Sequence, residues 1–220
     1  MWFKKAKKKF LSWGADIRVY KSPMFFVFFG DSHYKIKGTD MRTILNTLVA
    51  GDILLRKYDH YIGSRVIPGY WSHAAVYIGD DKVVHMLGEG IVIEDILTFM
   101  RCDDIAILRH EDPEIAVRAT NITIDLSDDN IPYDYDFKAK NKALYCSELT
   151  AKVYGYGLDN IPGLKGKKMI LPDDMLKIPK LSCIWARDDH WIDKEEIIDG
   201  DKKQDIKDSA NQEEESANGH

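Results

Sequence analysis

Hydrophobic positions along this chain fall first at helical spacing and then in short β-branched runs, and the change comes near residue 51. Before it, Trp2, Ala6, Phe10, Trp13 and Ile17 repeat at spacings of three and four, one face of a helix, with lysines on the other side. "SPMFFVFFGD" (22–31) is too short to span a membrane and reads as a buried strand or packing segment. "TDMRTILNTLV" follows as a short helix capped by Thr39 or Asp40. From "GDILLRKY" (51–58) onward the runs are those of strands. "HAAVYIG", "KVVHMLG", "GIVIEDI" and "DIAILRH" are short, β-branched and punctuated by Gly and Asp, as an antiparallel sheet requires. Asp112 and Pro113 then open a helix whose buried stripe is Ile115, Ala119, Ile122 and Leu126. "SDDNIPYDYDF" is a loop and "YCSELTAKVYGYG" a helix ended by its glycines. "LPDDMLKI" is a short helix starting near Pro172, and "LSCIWARD" is a last strand. The pattern predicts an α+β domain in which an antiparallel sheet packs against the cysteine-bearing helix.

Composition adds little, because 45% hydrophobic and 30% charged residues describe an ordinary globular protein. The distribution of charge adds more. "MWFKKAKKK" holds five lysines and no acid, whereas residues 193–220 hold ten acids against four lysines. The first segment reads as a terminal helix whose apolar stripe packs on the body with its lysines solvated, the alternative being a basic amphipathic helix that lies on an anionic membrane surface. The last is polar and poor in aromatics, and is expected to be disordered. Three parts follow: residues 1–45, a basic amphipathic or packing segment; 46–192, the folded domain; and 193–220, the acidic tail. No broad basic face remains for nucleic acid. No run reaches the roughly 18 apolar residues of a membrane span, and no apolar region with a cleavage site follows the lysines. A cytoplasmic protein is expected, with membrane contact confined to residues 2–17.

The candidate chemistry lies in two stretches. In "SHAAVYIGDDKVVHMLG" (72–88), two strands flank Gly79, Asp80 and Asp81. A two-residue loop pairs 79 with 82, sets His85 opposite Val76 and sends His73 and His85 to opposite faces. A three-residue loop over 79–81, which the glycine favours, sets His85 opposite Ala75 and makes the imidazoles diagonal neighbours roughly 7–8 Å apart at the backbone. The second stretch places Cys146 in the first turn of a helix, where free N–H groups and the helix dipole stabilise a thiolate. An imidazole can take the thiol proton, a second polar group can orient that imidazole, and the Cys146 N–H can meet a developing oxyanion. Cys146, His73 and His85 are thus nucleophile, base and orienter for acyl transfer, although a lone cysteine and a strand histidine are also ordinary core residues. Glu148, at i+2, should face away from the thiol.

Other residues are read as structural. His60 sits in an exposed loop, and His110 is a surface residue at a strand end. Cys102 and Cys183 are buried or idle. The odd number of cysteines fits reduced thiols rather than disulfides. Tyr133, Asp134, Tyr135 and Asp136 line a cleft or simply make a turn. His73, His85 and Cys146 lack the ligand set of a usual zinc site, so no metal or cofactor is expected.

From Gly51 to about Ile184 the chain resembles the circularly permuted papain-like thiol hydrolases of the NlpC class, particularly the YiiX-like branch. It is similar, more distantly, to the lecithin–retinol acyltransferase group. The pieces that carry the resemblance are "GDILLR", "SHAAVYIGDDKVVHM", "YDYDF", "YCSELTAKVY" and "LPDDML", in that order. It implies a papain-like fold with the histidine strand before the cysteine helix, His73 as base, Cys146 as nucleophile and His85 as the third polar residue. Amide, peptide, peptidoglycan or lipid-ester substrates follow from it, cleaved through a thioacyl intermediate. Two other readings remain: a catalytically silent binding module on the same scaffold, and a membrane-surface adaptor worked by residues 2–17.

Overall fold

The β-branched runs pair into one six-stranded sheet. In the computed structural model, which describes residues 18–20, 26–28, 34–59, 67–137 and 142–187, its strands are β3 (Ile53–Lys57), β4 (His73–Gly79), β5 (Lys82–Leu87), β6 (Gly90–Asp95), β7 (Asp104–His110) and β8 (Leu181–Ala186). Their order is β6-β5-β4-β3-β7-β8 and every neighbouring pair is antiparallel. Two further strands, β1 (Arg18–Tyr20) and β2 (Phe26–Phe28), form a separate antiparallel pair. The latter lies within the segment expected to be a strand. Helices are α1 (Gly38–Thr47), α2 (Ile96–Phe99), α3 (Pro113–Ser127) and α4 (Cys146–Val153), with a 3-10 helix at Pro172–Lys177.

Strand alternation gives the sheet two buried faces. Leu54, Ala75, Tyr77, Val83, Ile105 and Ile107 share one, packed with Ile44 of α1 and with Ile96 and Phe99 of α2. Leu55, Ala74, Val76, Val84 and Met86, all fully buried, face the other way, where α3 and α4 lie against β4 and β5. The result is the α+β layering that the sequence pattern predicts, with the cysteine helix against the sheet.

Three local expectations need correcting. The buried residues of α3 are Ala116, Ala119, Thr120 and Thr123, while Ile122 and Ile124 are exposed. Small residues win because the helix approaches the backbone closely. Gly51, at φ 95°, leaves no room for a side chain against Ala116, and a Cβ there would stand 2.8 Å from that residue's own Cβ. The threonines can be buried because each hydroxyl bonds the carbonyl four residues back, at 2.9 Å for Thr120 and 2.7 Å for Thr123. Helix α1 starts before the expected cap, with Lys37 in the cap position. The Asp40 carboxylate accepts the Lys37 N–H at 2.8 Å from inside the first turn. His110 is buried, not a surface residue, because β7 is an interior strand and Tyr154 stacks on the ring at 6.0 Å. Cys102 is buried and Cys183 exposed. The helical reading of residues 2–17, the loop holding His60 and the acidic tail all lie outside the described residues.

Candidate active site

The β4–β5 hairpin reaches the diagonal histidine arrangement by a route other than the one expected. Gly79 pairs with Lys82 across a two-residue turn, with Asp80 and Asp81 at φ 50° and 56°, the conformation of a type I′ turn. The next pair is Tyr77 with Val83, so Ile78 is an extra residue, a β-bulge that shifts β4 by one position. Val76 then faces Val84, and the register carries His85 opposite Ala75, two residues from His73. Both imidazoles share a face. His73 Nε2 lies 2.8 Å from His85 Nδ1, with the rings edge to face at 5.0 Å between centroids.

Two charged residues missed in the sequence complete this face. Arg56 on β3 pairs directly with His73, and Val92 on β6 pairs with His85, which brings Glu94 to the same side two residues on. A Glu94 carboxylate oxygen lies 3.4 Å from His85 Nε2 and 3.6 Å from Arg56 Nη1. The Arg56 guanidinium lies over the Phe99 ring at 4.1 Å, and its Nη1 donates to the Phe99 carbonyl at 3.2 Å. The sequence signal was there: a lone arginine in the apolar run "DILLRKY", and a glutamate in step with the valine that faces His85.

Cys146 is the first residue of α4 and is 4% exposed. The helix is fixed at both ends. Ile170 donates its N–H to the Tyr145 hydroxyl and accepts from Ser147 Oγ, both at 2.8 Å, and the Tyr154 hydroxyl bonds the Gly51 carbonyl. Glu148 turns back to the Tyr145 N–H, a capping contact that leaves it no role at the sulfur. The sulfur meets the N–H groups of Ala74 and Ser147. The thiol thus sits by the Ala74 N–H, and His73 is the residue just before it at the start of β4.

That entry to β4 is held from the other side. Asp173 of the 3-10 helix accepts the N–H of Tyr70 at 3.0 Å and of Trp71 at 3.3 Å, and Gly69, at φ 110°, lets the chain pass close to this carboxylate. The loop before the cysteine helix packs on it by backbone pairing. Asp134 N–H donates to Leu144 at 2.9 Å, and Asp134 Oδ1 accepts the Asp136 N–H at 2.9 Å, which is turn chemistry.

The electrostatics favour a neutral pair. Burial drives the His73 imidazole well below the ordinary histidine value, with Arg56 and His85 acting in the same direction. Burial lowers His85 too, opposed by Glu94. Burial raises the Cys146 thiol, and the N–H groups of Ala74 and Ser147, the Ser147 hydroxyl and Arg56 offset only part of that. Burial thus works against the thiolate–imidazolium pair that the helix position alone suggests. Among the described residues, no three His, Cys, Asp or Glu side chains converge as metal ligands.

A family model of permuted papain-like amidase enzymes (YaeF/YiiX, C92 family) matches residues 47–185. The chain belongs to this family. The match covers well over half of the chain and includes His73, His85, Glu94, Arg56 and Cys146. No curated protein and no solved structure matches the chain. Membership of an amidase family implies a substrate with an amide bond. No helix among the described residues is long and apolar enough to cross a membrane.

Proposed function

We propose that this protein is a cysteine-dependent amidase of peptide-type bonds, with Cys146 as nucleophile, His73 as base and His85 as its orienting partner, within a catalytic domain spanning residues 46–192. The observation that carries the reading is the 2.8 Å contact between His73 Nε2 and His85 Nδ1 beside the strand residue whose N–H meets the Cys146 sulfur. With Nε2 engaged by His85, Nδ1 is the nitrogen of His73 left to receive a proton. Because burial favours the neutral form of both groups, the proton leaves sulfur as the S–C bond forms, and His73 acts as general base in the attack itself. The carbonyl oxygen gains the negative charge, and the Cys146 N–H, in the first turn of α4, is the donor offered to it. Collapse breaks the C–N bond, the His73 imidazolium gives its proton to the departing amine, and a thioacyl enzyme remains. Water, deprotonated by His73, attacks the thioester and releases the carboxylic acid, restoring the thiol.

The family supports amides in general. Peptides, including peptidoglycan stem peptides, are the members of that class proposed first, and lipid esters second. The test is a panel of peptide amides, muropeptides and phospholipid esters, assayed with the intact protein and with Cys146→Ala. Cleavage of an amide that vanishes in Cys146→Ala supports the reading. Turnover that survives the substitution removes Cys146 as the nucleophile, and none across the panel removes the reading in favour of a binding module.

A further inference from the structure

Four side chains from four adjacent strands form one polar row on one face of the sheet: Arg56 of β3, His73 of β4, His85 of β5 and Glu94 of β6. Its members depend on one another. His85 Nε2 and Glu94 Oε2 are buried atoms, 3.4 Å apart, and neither has a hydrogen-bond partner within ordinary bonding distance among the described residues. Buried polar atoms in this condition are satisfied by their nearest complementary group, which for each is the other. The side of His85 is otherwise closed by the Phe99 ring at 5.5 Å, and Arg56 holds the far side of the carboxylate at 3.6 Å. The remaining charge near His85 is Glu89, in the turn before β6.

We infer that Glu94, anchored by Arg56, is a positioning residue that sets the tautomers of both histidines and so leaves Nδ1 of His73 unprotonated. The proton count is short. A carboxylate can only accept, so His85 carries its proton on Nε2 and presents a lone pair at Nδ1. His73 must then donate from Nε2 across the 2.8 Å contact, which leaves its own lone pair on Nδ1. Without the carboxylate, His85 is free to protonate at Nδ1 and donate to His73 Nε2 instead. That moves the His73 proton to Nδ1 and abolishes the base. Glu94 thus acts through two imidazoles on an atom it never touches. The inference rests on the reading of His73 as the base, but its test does not require turnover.

The experiment is long-range proton–nitrogen NMR of the imidazole rings in uniformly 15N-labelled full-length protein at pH 7.5, in wild type, Glu94→Ala, Glu94→Gln and Cys146→Ala. Wild type and Cys146→Ala should both show protonated Nε2 and bare Nδ1 at His73 and His85. Glu94→Ala should show protonated Nδ1 at both rings, wholly or in exchange. Glu94→Gln, which keeps an acceptor oxygen, should largely restore the wild-type pattern. Acylation of Cys146 by p-nitrophenyl acetate should fall about tenfold or more in Glu94→Ala and recover in Glu94→Gln. Protonated Nδ1 in the wild-type rings overturns the inference even if no variant folds, and so does an unchanged pattern in folded Glu94→Ala. Wild-type tautomers as stated, in a protein whose Cys146 proves inert, would instead leave the inference standing and remove the proposed function.

Discussion

Two histidines with lowered pKa values, His85 fully buried and His73 partly so, make this protein's stability depend on pH in a window that carboxylates do not share. An unfolded histidine titrates at about 6.5, whereas His73 in the fold titrates well below that and His85 is lowered less. Between the two values the unfolded chain binds a proton that the folded chain refuses. Stability is therefore full above about pH 6.5 and is lost as the pH falls toward the folded values. Each such group contributes a slope that approaches about 1.4 kcal/mol per pH unit. His73, the more strongly lowered of the two, carries the larger part of this loss, at most about 1.4 kcal/mol for each pH unit below about 6.5. His85 adds a smaller share, since Glu94 works against its desolvation. Glu94 and Asp59, both lowered, contribute stability that is lost only below about pH 4.3, outside this range. The assay is urea denaturation of wild type and His73→Gln at half-unit steps from pH 7.5 to 4.5. Wild type should lose stability steadily below pH 6.5, and the difference between the two proteins should shrink by about 1–3 kcal/mol over that range. A wild type equally or more stable at pH 5 would mean that the histidines are protonated in the fold, and the neutral-pair account would be wrong.

Three other perturbations probe neighbouring parts of the argument. Iodoacetamide should label Cys146 with a pH midpoint at or above the ordinary thiol value, read in a Cys102→Ser, Cys183→Ser background, and Arg56→Met should move that midpoint further up because it removes the cation that favours thiolate. Asp52→Ala should lower stability by about 3 kcal/mol, a fall of roughly 6–12 °C in Tm by calorimetry, without changing Cys146 labelling. Asp52 is buried, holds Arg109 through two bonds of 2.7 Å and accepts the Val49 N–H at 2.8 Å, all remote from the thiol. Gly69→Ala puts a Cβ 1.8 Å from Asp173 Oδ2 in a left-handed backbone, so Asp173 must release the Tyr70 and Trp71 N–H groups. It should cost about 1–3 kcal/mol in denaturant titration and slow Cys146 acylation, because the chain entering His73 loses its anchor.

The strands, the antiparallel order of their sequence neighbours and the cysteine helix were legible because their signals are local. Short β-branched runs punctuated by Gly and Asp mark β4 to β7, the Asp112–Pro113 pair marks the start of α3, and glycine ends α4. The pairing of His73 with His85 was legible as one of two registers. What selects it, the Ile78 bulge, was not, since nothing in "YIGDD" distinguishes an extra strand residue from a longer loop. The buried stripe of α3 misled because depth there follows closeness to Gly51 rather than hydrophobicity. Glu94 and Arg56 escaped notice because their meeting depends on long side chains crossing several strands. The sign of the thiol shift escaped for a related reason. A helix N-terminus is visible in a sequence, but the burial that outweighs it is not.

The most direct test of the central claim is mass-spectrometric capture of an acyl group on Cys146. Wild type, His73→Ala and Cys146→Ser would be treated with p-nitrophenyl acetate at pH 7.5, quenched in acid and digested. The account predicts a thioester on the peptide carrying Cys146, formed about 100-fold or more slowly in His73→Ala and absent in Cys146→Ser. Acetylation confined to the exposed Cys183, or formed on Cys146 at the same rate without His73, would contradict it.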